Sequence, residues 1–254
     1  MDSIILANQP KIFSILPYNH EPMRKSFLIT LGVISTLSLH AHTCYPDTVY
    51  CPVDSHKVVF CVTMSMTTFG SYYDFQKKGA LGNHYEELIN GCPNCHYCGY
   101  LRDFKTSFSR ERKDSVLSIL EKYKNLELTD AIECEITAAV RLASGGKYDE
   151  IADIYLLGSY LLRKDKNNIG KRKQMQLLSC EYFQKAIDDN EYKNEEVATI
   201  NYLIGDLYRR VGDFEKATLY FDKSLSDKNK KDWLEKIIKE QKELVSKRDD
   251  NNDI

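Results

Sequence analysis

Two four-residue turns in this chain have the spacing of a metal knuckle: Cys51-Pro-Val-Asp54 and Cys92-Pro-Asn-Cys95. In Cys-Pro-x-Cys the two side chains point into one space, and backbone N–H groups after the first Cys stabilise thiolates. Two such turns brought face to face make a tetrahedral zinc site. Here the second turn keeps both thiols and the first ends in a carboxylate, which zinc also accepts. The candidate metal ligands are therefore Cys51, Asp54, Cys92 and Cys95 around one zinc ion, with His56 and Cys98 in reserve for the fourth position. Three thiolates and one carboxylate should hold zinc less tightly than four thiolates, and leave the site more open to water.

Two other chemistries compete for the same residues. Six of the eight cysteines fall between Cys44 and Cys98, and in an oxidising compartment they would pair as structural disulfides. A thiol redox site would use Cys92 with Cys95, or Cys95 with Cys98. No thioredoxin-like βαβ pattern surrounds them, which counts against redox catalysis. His84 and Glu87 do not make a zincin, because no His-Glu-x-x-His exists in the chain. The sequence thus leans away from an enzyme. The alternative is a metal-dependent hydrolase or thiol oxidoreductase acting at the Cys/Asp cluster.

The elements that must position these turns come next. Lys57–Thr68 is rich in β-branched residues and partly alternating, so it reads as a strand. Gly70–Phe75 breaks it, residues 77–83 read as a loop, and His84–Asn90 is a short strand or helix leading to the second knuckle. Tyr72, Tyr73, Asp74 and Tyr85 are expected to line this cysteine-rich head, residues 42–108.

From Ser109 the period becomes helical. Ser179-Cys-Glu-Tyr-Phe-Gln-Lys-Ala-Ile187 aligns with Ala217-Thr-Leu-Tyr-Phe-Asp-Lys-Ser-Leu225, and Tyr155-Leu-Leu-Gly158 with Tyr202-Leu-Ile-Gly205. Gly205, Tyr208, Gly212, Phe214, Ala217, Phe221 and Ser224 have the spacings of a tetratricopeptide repeat. Lys230–Lys247 reads as an amphipathic cap over the last repeat, completing a helical region at 109–248. Residues 249–254, Asp-Asp-Asn-Asn-Asp-Ile, are expected to be disordered. The fold class is mainly α: a small zinc-ribbon-like β head followed by a tetratricopeptide-like array. Such arrays commonly bind a protein or peptide on the inner face.

At the N-terminus, Arg24-Lys25 precede an apolar run from Phe27 to Leu39 that ends at His40-Ala41-His42. That is the layout of a secretory signal. A helix of this run would reach ~20 Å, short of a bilayer core of ~30 Å. Residues 1–41 are read as an extension and signal peptide, with Met23 the expected start and a mature chain beginning near His42. Leu39 is larger than the Ala preferred three residues before the cut, and Ala41-His42-Thr43 is a poor lipobox before Cys44. The expected location is the periplasm or outside the cell, with no transmembrane span after cleavage; an uncleaved chain would be cytoplasmic. The 254 residues carry 35 Lys+Arg against 37 Asp+Glu. That balance excludes bulk disorder and argues against nucleic acid as an obligate partner.

Together these features resemble a bacterial domain-of-unknown-function family, DUF family 2225. The resemblance runs from about Cys51 to Leu244 and rests on both knuckles and on Tyr202-Leu-Ile-Gly-Asp-Leu-Tyr-Arg-Arg-Val-Gly-Asp-Phe-Glu-Lys-Ala217, with Asp130-Ala-Ile-Glu-Cys134 similar to its middle helix. It implies a zinc-ribbon-like head and assigns no activity. Asp54 stands where that family has a Cys, His96 where it has Gly, and Cys98 where it has a small residue; a signal peptide is a further departure. The function expected from the sequence is an exported zinc-binding scaffold that meets a protein partner through its helical repeats.

Overall fold

The computed structural model describes residues 42–79 and 84–254. The extension and signal segment expected at 1–41 lies outside the described residues. Three antiparallel strand pairs form the head: β1 (His42–Tyr50) with β2 (Lys57–Met66), β3 (Thr68–Ser71) with β4 (Lys77–Gly79), and β5 (Ile89–Gly91) with β6 (Cys98–Tyr100). A single 3-10 turn, His84–Glu87, precedes β5. Pairing of Tyr50 with Lys57 closes β1–β2 around the first Cys-Pro turn, and pairing of Gly91 with Cys98 closes β5–β6 around the second. Alternation along β2 turns Val58 and Phe60 inward. Phe60 meets Phe104 edge-on at 5.2 Å between ring centroids, and Phe104 meets Tyr97 at the same distance. At the far end of the first hairpin, Cys44 and Cys61 form a disulfide with Cα atoms 5.4 Å apart.

Eight α-helices follow: α1 (Leu101–Phe104), α2 (Arg110–Leu120), α3 (Asp130–Ala143), α4 (Tyr148–Leu161), α5 (Ile169–Asp188), α6 (Asn194–Val211), α7 (Phe214–Ser226) and α8 (Trp233–Ser246). Side chains of Ser109, Thr129 and Asp213 accept from the backbone N–H three residues on and so cap α2, α3 and α7. No helix among the described residues is long and apolar enough to cross a membrane. Helix α4 packs on α5, and α6 on α7. Gly158 and Gly205, aligned in the two copies, make these approaches close. A Cβ on Gly158 would lie 2.5 Å from Met175 Sδ, and one on Gly205 2.7 Å from Phe221 Cδ1. Leu234 and Ile238 of α8 cover Tyr202, Ala217 and Phe221. The head is no separate body: Val49, Phe60, Ile89 and Tyr97 share one apolar cluster with Val116, Cys134, Ile151 and Leu207.

Two expectations are corrected here. Tyr72, Tyr73 and Asp74 do not line the metal head. They belong to a loop that lies across α4, α6 and α8. Tyr160 Oη donates to the Asp74 carbonyl, Tyr202 Oη donates to the Tyr73 carbonyl at 2.8 Å, and Tyr73 Oη donates to Glu240 at 2.9 Å. The Asp74 carboxylate pairs with Arg163. Tyr85 shares this displacement, with its ring 5.4 Å from that of Tyr160. A short polar loop carries no periodicity, so nothing in its composition says which surface it will meet.

The second correction concerns residues 249–254, which are held in place. Arg209 Nη1 donates to the carbonyls of Asp249 (2.9 Å) and Asn251 (3.0 Å), and Arg210 Nη1 and Nη2 donate to those of Asn252 (2.6 Å) and Ile254 (2.9 Å). A tail of five polar residues and a single Ile reads as frayed, but here guanidiniums grip its main chain, which any sequence supplies.

Candidate metal centre

Each knuckle is built the same way. The residue four after the first Cys donates its N–H back to that Cys carbonyl: Ser55 to Cys51 at 2.8 Å and His96 to Cys92 at 2.9 Å. The Cys N–H then donates to the carbonyl one residue further on, Cys51 to His56 and Cys92 to Tyr97, both at 2.8 Å. Ser55 and His96 take positive φ, 64° and 63°, to complete the turn. Asp54 thus occupies in the first knuckle the position that Cys95 occupies in the second.

Facing each other, the knuckles bring one ligand atom from each of Cys51, Asp54, Cys92 and Cys95 within 4.8 Å of one another. Cys51 Sγ lies 3.5 Å from Cys95 Sγ, and Cys92 Sγ lies 3.6 Å from both Asp54 oxygens. A tetrahedron with Zn–S bonds of ~2.3 Å has edges of about 3.8 Å, so the set needs little movement to close on an ion. This Cys/Asp group has the donors to hold a metal ion. Asp54 is the most solvent-accessible of the four. Its carboxylate is anchored by Asn94 Nδ2 at 2.7 Å and by the His56 N–H at 2.9 Å.

The model of a family described as an uncharacterized protein conserved in bacteria, DUF2225, matches residues 44–245. The chain belongs to this family. Comparison with curated proteins and with solved structures returns no significant match. The matched span contains both knuckles of the DUF2225 chain and nearly all of its helical part.

The reserve ligands lie elsewhere. The His56 side chain is exposed, and its contribution is the backbone N–H to Asp54. Cys98 is buried with its thiol on the His96 carbonyl at 3.3 Å. Its Sγ sits beside Gly91, on the side where Glu133 of α3 approaches. Asn94 is the residue that motif reading missed. It is visible inside Cys-Pro-Asn-Cys, but its grip on the opposite knuckle appears only once the turns face each other.

The electrostatics of the four groups are unequal. Burial works against the Asp54 carboxylate, but Asn94, the His56 N–H and the thiols of Cys51 and Cys95 outweigh it and hold Asp54 down to about 2. The Cys95 thiol donating to Cys51 lowers the latter, helped by the N–H groups of Asp54 and Val53. Cys95, giving up that hydrogen bond if it ionises and partly buried, is pushed up. Burial pushes Cys92 up as well. Asp54 is therefore the group held most firmly in its charged form, while Cys92 and Cys95 keep their protons more tightly than free thiols and Cys51 less tightly. A bound cation must displace the thiol protons, so metal affinity falls as pH falls.

Behind the second knuckle, Glu133 Oε1 accepts the Gly91 N–H at 2.9 Å. Burial, with Asp130 adding repulsion, pushes its carboxyl up to about 7. A raised carboxyl stabilises the fold most below its unfolded value of ~4.3, and that stability is lost as pH rises through 7. The loss amounts to about 4 kcal/mol between those limits. Glu133→Gln keeps an acceptor for Gly91 and removes the charge. It is expected to raise stability at pH 8 and to flatten the decline from pH 5 to 8 in urea titrations. A variant whose decline matches the wild type contradicts this.

Proposed function

We propose that this chain is an exported protein-interaction module whose β head is held together by one structural zinc ion. The observation that carries the reading is the convergence of Cys51, Asp54, Cys92 and Cys95 from two similarly built knuckles. Four protein ligands close a tetrahedral site, which is how structural zinc is held. The ion would tie the two hairpins together at the end of the core shared with α2 and α3. The paired helices α4/α5 and α6/α7, capped by α8, are read as tetratricopeptide-like and as the surface for a protein partner. Export is supported by the basic and apolar layout before His42 and by the Cys44–Cys61 disulfide, a bond that persists in oxidising compartments.

One observation favours an enzyme: Asp54 is accessible, and a carboxylate ligand exchanges for water more readily than a thiolate. Against a thiol oxidoreductase that uses the Cys92/Cys95 pair, both of these thiols are pushed up, the wrong direction for a nucleophile.

The interaction reading is tested with a photo-cross-linking residue at Leu177 or Leu219, exposed apolar positions on α5 and α7. A discrete protein adduct in a bacterial envelope fraction is expected, weakened when zinc is removed. Absence of an adduct at every position, with zinc bound and the helices intact, overturns it.

A further inference from the structure

Residues 249–254 lie in a prepared groove. Among the described residues, the five buried charged side chains are Arg163, Arg209, Arg210, Asp74 and Asp206, three cations against two anions. Asp206 bridges Arg209 (2.8 Å) and Arg210 (2.6 Å), while Asp74 pairs with Arg163 and lies 3.6 Å from Arg210. The donors left over from these pairs reach the tail, and they reach its main chain: the Asn252 carbonyl is bonded by both Arg163 and Arg210.

One tail side chain is read in detail. Gln176 Nε2 donates to Asn252 Oδ1 at 2.8 Å, and Asn252 Nδ2 donates to the Arg210 carbonyl at 3.3 Å. Two Asx turns, Asn251 N–H to Asp249 and Asp253 N–H to Asn251, set the tail's shape. Charge is complementary too, with Asp250 3.2 Å from Lys173.

Yet the tail leaves this groove incompletely satisfied. Gln176 Oε1 and Gln241 Nε2 are buried with no partner among the described residues, although each carboxamide touches the network through its other atom. Residues Gln176 and Gln241 are 1% and 0% exposed. Orphaned atoms of this kind cost stability.

We infer that this groove is a peptide-binding site for an extended segment of the pattern Asp-x-Asn-Asn on a partner protein, and that residues 249–254 occupy it in cis as a displaceable competitor. Recognition through main-chain carbonyls makes the groove tolerant of another chain, while the Asn252 position supplies selectivity. The inference rests on the reading that the helix pairs serve a protein partner, and it adds the ligand's chemistry and an autoinhibited resting state.

The test uses the full chain and a fluorescent synthetic peptide with the sequence of Arg248–Ile254. Asn252→Ala and the double variant Asp249→Ala/Asn252→Ala loosen the tail. Peptide anisotropy reports binding, and hydrogen exchange of residues 250–253 reports tail release. The single Trp, Trp233, lies in a cavity wall with Asp253 and Ile254 and gives a second optical signal. The loosened chains are expected to bind the peptide at least tenfold more tightly than the wild type. A peptide with Ala at the Asn252 position should compete at least tenfold less well. A released tail without saturable binding up to about 1 mM peptide, the range of a short linker's effective concentration, overturns the inference. So does a tail that stays protected in both variants, since it is then a fixed part of the fold. Failure here with adducts still formed at Leu177 or Leu219 removes only the groove; loss of both removes the interaction reading as well.

Discussion

Cys92→Ser is expected to lose the bound zinc and, with it, the folded head. Cys92 is fully buried, its Sγ faces Asp54 at 3.6 Å, and its backbone closes the second knuckle. Structural zinc contributes about 10–16 kcal/mol to folding in small zinc domains. Even a fraction of that exceeds what three short strand pairs supply for themselves. Wild-type protein should therefore lose thermal stability on chelation, and lose less at low pH, where proton competition at Cys92 and Cys95 already weakens the metal's hold. The variant should begin destabilised and ignore the chelator. Because the head shares a core with α2 and α3, the loss should extend to protease cleavage near residues 104–110, with much of the helical circular dichroism retained. Asp54→Cys in the same assay should hold zinc more tightly than the wild type. A Cys92→Ser protein that melts like the wild type, beside a wild type indifferent to chelation, rules out a structural metal.

Asp206→Ala is expected to cost about 3–5 kcal/mol, the usual penalty for breaking a buried ion pair by removing one partner. That is a large share of the 5–15 kcal/mol that holds a domain together. Arg209 and Arg210 are fully buried, and Asp206 is the carboxylate that both touch closely. Burial alone would raise Asp206, but the two guanidiniums outweigh it and hold it below its ordinary range. The depressed carboxyl contributes stability that is complete above ~3.9 and is lost as pH falls through its folded value. The variant should lose this acid sensitivity together with its stability. It should also expose residues 249–254 to exchange, because Arg209 and Arg210 are their anchors. Urea titrations at pH 7 check the magnitude, and a loss below 1 kcal/mol contradicts the role given to Asp206.

The residues differ in how readable they were. The knuckles were legible because Cys-Pro-x-Cys has a fixed local geometry that needs no tertiary context, and Asp54 could be aligned with Cys95 by position alone. The helix pairs were legible because apolar period and Gly158/Gly205 packing repeat in the chain. His56 and Cys98 could not be separated from the ligands by spacing: a strand pair had to form first, and it turned one to solvent and the other toward Glu133. The Tyr72–Gln76 loop and the tail were opaque for a different reason. Both are gripped at backbone carbonyls, and a backbone carbonyl leaves no mark in a sequence. The partner arginines did leave one, since Asp206, Arg209 and Arg210 stand at i, i+3 and i+4. On a helix that spacing reads as an ordinary surface pair, and only burial shows it to be the centre of a network.

The most direct test of the metal centre is intact mass under native and denaturing conditions, with the free thiols counted after each. The account predicts one zinc ion per chain that leaves on denaturation, one disulfide between Cys44 and Cys61, and Cys51, Cys92 and Cys95 recovered as thiols. A chain that carries no metal, with Cys51 and Cys95 joined across their 3.5 Å separation, would make the head a disulfide scaffold and contradict the account.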